Sequence, residues 1–177
     1  TASFMGMDIT LTVPYGTDLS EFVLDGELAA GATAVPAFED ITSYEGPITI
    51  VVTADDGLAV KTYTLTIEMD DPHTGNHLMT FGFTDEFNEG LEGGEIWGDI
   101  DELKNRIDVA VPYGTPVSAL IASFTNSPYS CVYINGEQVT DAYEQCSGVT
   151  VNDFTTYQTY TVIAQNGDEQ YYNVYVE

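Results

Sequence analysis

Apolar and polar residues alternate along much of this chain. Ile9, Leu11 and Val13 are separated by Asp8, Thr10 and Thr12, and Ile107, Val109 and Val111 recur at the same spacing. A period of two places one side of an extended strand in a core and the other in solvent. Ile48 to Ala54 and Lys61 to Ile67 read as two more strands, joined through Asp55-Asp56-Gly57. Tyr160 to Ala164 and Gln170 to Val176 read the same way, joined through Gln165-Asn166-Gly167. Asp-Gly and Asn-Gly between β-rich runs predict hairpins, because both residues accept a positive φ. Leu78 to Phe83 predicts one further strand. The pattern is that of an all-β protein.

These runs form a repeat. Val13-Pro14-Tyr15-Gly16-Thr17 returns as Val111-Pro112-Tyr113-Gly114-Thr115, each time directly after an alternating strand. Proline ends the ladder by removing a donor, and Tyr-Gly-Thr turns the chain. Tyr63, Leu65 and Ile67 correspond to Tyr172, Val174 and Val176 as the inward face of each closing strand. Two matched blocks in the same order define two copies. The first occupies residues 1–69, residues 70–77 form a polar linker, and the second occupies residues 78–177, with an acidic insertion at 84–105.

The Val-Pro-Tyr-Gly-Thr strand, Gly31-Ala32 with Pro36 nearby, and the run from Val52 through Asp55-Asp56-Gly57 to Ile67 resemble bacterial extracellular Ig-like repeats. The resemblance covers most of the first copy and both ends of the second. It implies two tandem Ig-like, cadherin-like antiparallel β-sandwich domains in a secreted or surface-anchored protein. It says little about function, since such modules serve as spacers, adhesins and assembly subunits.

The copies differ in instructive ways. The second opens with its own strand, Leu78 to Phe83, whereas Met5, Met7, Ile9, Leu11 and Val13 read as one continuous strand in the first. The first copy is thus expected to lack an opening strand and to expose a sheet edge, an invitation to strand addition. The candidate donor is the apolar N-terminal arm, with Phe4, Met5 and Met7 filling a neighbour's groove. The alternative is that Thr1 to Gly6 folds back over the edge. Nine of the twelve tyrosines lie in the second copy. Alternation puts Tyr171 and Tyr175 on its outer face, as contact surface or as cross-strand pairs.

Charge narrows the partners. Three basic residues stand against 29 acidic ones, a formal net charge of -26. Nucleic acid and anionic membrane are excluded, because both are bound by Lys and Arg neutralising phosphates. Carboxylates suit hard cations such as Ca²⁺. The candidate ligands are Asp85, Glu86, Glu89, Glu92, Glu95, Asp99 and Asp101, in a glycine-rich insertion that does not follow the EF-hand pattern. An exposed acidic loop is the alternative, with Trp97 pinning it to the sandwich or serving an interface. His73 and His77 lack the further ligands of a zinc site and read as solvated linker residues.

Cys131 and Cys146 are expected to form a disulfide, because paired cysteines in a secreted β-protein are normally bridged. Closing a loop of about 15 residues contributes on the order of 3 kcal/mol. No apolar run is long enough to cross a membrane as a helix. Thr1 in place of an initiator Met fits a mature secreted product, and a trimmed fragment would look the same.

No catalytic signature is present: no Gly-x-Ser-x-Gly elbow, no phosphate-cradling loop, no His-Glu-x-x-His helix. The leading expectation is a structural subunit of an extracellular assembly, a self-associating filament or a surface-layer or stalk module. The alternative is an adhesin or glycan-binding module of a larger cell-surface protein, with a surface glycan or another surface protein as partner.

Overall fold

The computed structural model describes residues 1–91, 94–134 and 144–177. The chain is all-β and divides into two units, Thr1–Pro72 and His73–Glu177.

In the first unit, β1 (Ala2–Met5), β2 (Asp8–Val13), β3 (Thr33–Val35), β4 (Ile48–Thr53) and β5 (Val60–Met69) form one sheet, ordered β1-β2-β5-β4-β3. The expected continuous opening strand is instead a hairpin. Gly6 adopts φ +67° and reverses the chain, so that Phe4 faces Ile9 and Ala2 faces Leu11. The alternation runs unbroken through Met5 and Met7, but a residue with no Cβ between them makes the tight turn cheap. The arm is therefore paired within its own chain, as in the alternative in which Thr1 to Gly6 folds back over the edge. Its side chains remain open, with Met5 84% and Phe4 71% exposed.

Between β2 and β5 the pairing is parallel, with Ile9 opposite Leu65. The sheet is thus mixed rather than purely antiparallel, because the opening and closing strands run the same way side by side. A small core of Ile41, Tyr44, Ile50 and Leu65 packs beneath it, with Phe22 edge-on to Tyr44 at 5.3 Å.

The second unit holds β6 (Leu78–Phe83), β7 (Ile96–Trp97), β8 (Asp99–Asp101), β9 (Arg106–Val109), β10 (Leu120–Asn126), β11 (Cys131–Ile134), β12 (Val151–Asn152), β13 (Gln158–Ile163) and β14 (Glu169–Val176). One sheet runs β12-β10-β6-β7 and the other β11-β13-β14-β9-β8. The second of these reproduces the sheet of the first unit strand for strand, including a parallel pair, β9 with β14. Between the sheets lies an aromatic core. Phe81 stands 5.0 Å from Tyr160 and 6.2 Å from Phe124, and Phe83 stands 5.2 Å from Phe154.

The repeated motif makes the same turn in both units. Thr17 N–H and hydroxyl both donate to the Pro14 carbonyl, and Thr115 does the same to Pro112. Gly16 and Gly114 take the positive φ that the third position of a type II turn requires. The motif is turn chemistry rather than a binding signature.

Candidate functional site

The outward face of the β11-β13-β14-β9-β8 sheet gathers the polar and aromatic groups of the second unit. Its composition follows from alternation. Tyr160, Val162, Tyr172 and Val174 point into the core and are fully buried, so Thr159, Thr161, Tyr171, Asn173 and Tyr175 point out. Cross-strand register then sets the rows. Thr159 faces Asn173, whose other neighbour is Arg106, and Thr161 lies between Tyr133 and Tyr171. Tyr175 faces Asp108 across the parallel pair.

One step beyond β13, Tyr157 stacks on Tyr175, ring centres 5.3 Å apart and planes 28° from parallel. The Arg106 guanidinium lies over the Tyr175 ring, 4.0 Å from its centre. A cation over an aromatic face is held by the ring quadrupole. Two hydrogen bonds from Nε, at 2.7 and 2.9 Å, and one from Nη2, at 2.6 Å, tie the same guanidinium to the Asp108 carboxylate. That bonding holds the Asp108 carboxyl below the usual carboxylate range and pushes the guanidinium above its own. Tyr175 is thereby fixed in orientation. Tyr157 and Tyr171, 55% and 53% exposed, are the open rings. Thr159 donates to the Asn173 side-chain oxygen at 2.9 Å, which leaves the Asn173 amide nitrogen outside that bond.

Of the residues expected at an interface, Tyr171 and Tyr175 therefore share this face, while Phe4, Met5 and Met7 belong to the first unit. Tyr157, Arg106, Asp108 and Asn173 were not singled out by sequence. Counting back from Tyr160 by alternation puts Tyr157 outward, and the register of β13 on β14 then sets it opposite Tyr175.

Among the described residues, no three carboxylate, histidine or cysteine side chains converge as a metal site requires. Asp85, Glu86 and Glu89 sit on the turn after β6, Glu95 accepts from the Trp97 indole at 3.3 Å, and Asp99 and Asp101 lie on β8. Asp101 is engaged by Lys104, which holds its carboxyl below the usual range. Glu92 lies outside the described residues. Nor is the insertion simply an exposed loop. Asn88 donates to the carbonyls of Thr84 and Ile121 and accepts from the Ile121 amide, and Leu91 is buried. The Trp97 ring lies against Gly82 with half its surface open.

The histidines are engaged as well. His73 stacks on Tyr129 at 4.1 Å. His77 Nδ1 lies 3.2 Å from the Tyr172 hydroxyl, which donates to Glu102 at 2.8 Å.

Cys131 and Cys146 are free, exposed thiols, which departs from the expected bridge. Tyr133 bridges Glu144 and the Gln145 amide donates to the Val132 carbonyl at 2.8 Å. Continued two residues further, that antiparallel register would set Cys146 opposite Cys131. A bridge between them would in any case require oxidation of both thiols. Asn135-Gly136, the turn expected between them, lies outside the described residues.

Comparison with known proteins decides the family. A model of the family described as "SGBP, N-terminal" matches residues 6–67 and again 86–176. The chain belongs to that family. Both copies match, so the repeat is a repeat of this module, which takes the place of the cadherin-like assignment. No curated protein matches the chain. Among solved structures, a candidate glycoside hydrolase of Bacteroides thetaiotaomicron VPI-5482 is 26% identical over 62% of this chain and 26% of its own, with a TM-score of 0.39. A candidate secreted protein of Bacteroides fragilis NCTC 9343 is 15% identical over 58% of this chain and 94% of its own, with a TM-score of 0.36. Neither likeness is close enough to assign an activity, and this chain spans about a quarter of the first of these proteins. Among the described residues, no helix is long and apolar enough to cross a membrane.

Proposed function

We propose that this chain is a glycan-binding module of a larger bacterial cell-surface protein, and that it binds rather than catalyses. Membership of the SGBP N-terminal family supports this reading, SGBP denoting surface glycan-binding protein. The observation that carries it to particular residues is the Tyr157–Tyr175 pair with Arg106 over Tyr175. Tyrosine offers a flat apolar face for the C–H surface of a sugar ring and a hydroxyl for its oxygens, at the cost of only two rotatable side-chain angles. Asn173, Asp108 and Thr159 supply the donors and acceptors around it. Tyr157 and Tyr171 are the contact rings, and Tyr175, Arg106 and Asp108 are positioning residues.

A net charge of -26 selects among glycans. An acidic polysaccharide would be repelled as nucleic acid is, so the ligand class is a neutral oligosaccharide. A self-assembling subunit is the weaker reading, since the arm expected to link neighbours is paired at home as β1. The test is retention of the protein by immobilised neutral polysaccharides, compared with the Tyr157→Ala and Tyr171→Ala variants.

A further inference from the structure

The sheet of the first unit has a strand-for-strand counterpart in the second, whose other sheet, β12-β10-β6-β7, has none among the strands of the first. The sheets agree in register as well as order. Phe4 faces Ile9 as Ile100 faces Ile107, Ile9 faces Leu65 as Ile107 faces Val174, and Ile50 faces Tyr63 as Tyr160 faces Tyr172. After the shared turn, the chain enters residues 22–28 in the first unit and β10 in the second. Phe22, Leu24 and Gly26 are the counterparts of Leu120, Ala122 and Phe124. In the second unit β10 is paired by β6, with Phe81 opposite Phe124 and Phe83 opposite Ala122. Residues 22–28 have no ladder partner among the described residues and are not a strand.

Where β6 would lie, the first unit is hollow. A cavity of about 570 Å³ is lined by Phe4, Ile9, Leu24, Gly26, Ile50 and Leu65 among others. Its walls correspond to those that β6 covers: Phe81 packs on Tyr160 and Phe124, the counterparts of Ile50 and Gly26. The consequence for burial is direct. Phe4 is 71% exposed, whereas its counterpart Ile100 packs against the core. Among the described residues, four buried residues form the first core and fifteen the second, and β6 supplies three of the fifteen, Leu78, Phe81 and Phe83.

We propose that this groove is a strand-acceptor site, closed in the longer surface protein by an extended segment from ahead of Thr1. The occupant carries large apolar side chains at alternate positions and pairs with residues 22–28. The second copy supplies the template, since β6 precedes β8 in the same polypeptide, as the occupant would precede β1. Thr1 N donates to the Thr12 carbonyl at 2.8 Å. A peptide amide there makes the same bond, so a polypeptide entering Thr1 stays on the ladder. Asp25 and Glu27 on the groove wall disfavour an acidic occupant. The site is independent of the tyrosine face.

The probe is the chain's own template. A second copy of residues 77–98 is fused ahead of Thr1 of the full chain, in native form and with Phe81→Asp in the added copy. The expected result is amide hydrogen exchange slowed about tenfold or more across residues 22–28, with burial of Phe4, in the native fusion only. Equal exchange in the native fusion and the unfused chain would overturn the proposal. So would equal protection by the Phe81→Asp fusion, which would show mere crowding. A separate peptide of residues 77–84 that protects residues 22–28 where the fusion does not would overturn the placement ahead of Thr1 in favour of a strand from another molecule.

Discussion

Tyr157 and Tyr175 stack at 5.3 Å as a cross-strand pair on the outward face of the second unit, with Arg106 lying over Tyr175. Pairing fixes one ring and leaves the other open, a geometry that an isolated surface tyrosine cannot hold. Cross-strand aromatic pairs also stabilise sheets, typically by about 0.2–1 kcal/mol. Substitution at Tyr157 is therefore expected to change stability little and binding much.

Gly82 tests the packing of the acidic insertion. A Cβ there would meet the Ile96 carbonyl oxygen and, at 2.8 Å, the Trp97 ring, and the carbonyl belongs to the β6–β7 ladder. Gly82→Val is expected to destabilise the second unit by about 1–3 kcal/mol, seen as a lower denaturation midpoint with an unchanged slope. An unaltered midpoint would mean that β7 does not pack on β6 as described.

Alkaline titration tests the core. Burial raises the Tyr160 hydroxyl well above its usual value, and burial together with the Glu102 carboxylate does the same for Tyr172. A phenol raised in the folded state contributes stability that is full below the unfolded value, about pH 10, and is lost as pH rises above it. Ultraviolet titration should show Tyr160 and Tyr172 ionising only together with unfolding. Early ionisation of all tyrosines in a folded protein would contradict the burial.

The thiols make a third test. If the Tyr133–Glu144 register continues two residues further, Cys146 stands opposite Cys131 in a narrow, non-hydrogen-bonded pair, where Cα atoms approach about 4.5 Å, within the range a disulfide spans. Mild oxidation of the folded protein is expected to close the bridge without loss of fold, read as the loss of two alkylatable thiols by intact mass. Two thiols that remain free under oxidation, or that bridge only between molecules, would show that the register does not extend to them.

Much of this architecture is legible in the residues. Period-two alternation located Leu78–Phe83 to the residue, and the repeated motif gave the same turn twice. Alternation placed Tyr171 and Tyr175 outward. What it could not reveal was pairing. Gly6 reverses a strand whose apolar pattern runs on through Met7, because a hairpin and a straight strand share the same period. Parallel contact of β2 with β5 joins residues more than 50 positions apart and leaves no local mark. Asn88 looked like one more polar residue in an acidic loop, yet its amide serves the Ile121 backbone on another strand. The tyrosine face needed the register of β13 on β14 before Tyr157 could be joined to it.

The most direct measurement is binding of the full chain to a panel of neutral polysaccharides by isothermal titration or affinity electrophoresis, alongside a Tyr157→Ala/Tyr171→Ala double variant. At least one neutral glycan should bind. The double variant, folded as judged by an unchanged melting profile, should lose about tenfold or more in affinity, since each aromatic contact carries roughly 0.5–1.5 kcal/mol beyond its buried area. Wild-type protein retained by no neutral glycan, or a double variant that binds as the wild type does, would contradict the assignment of this face.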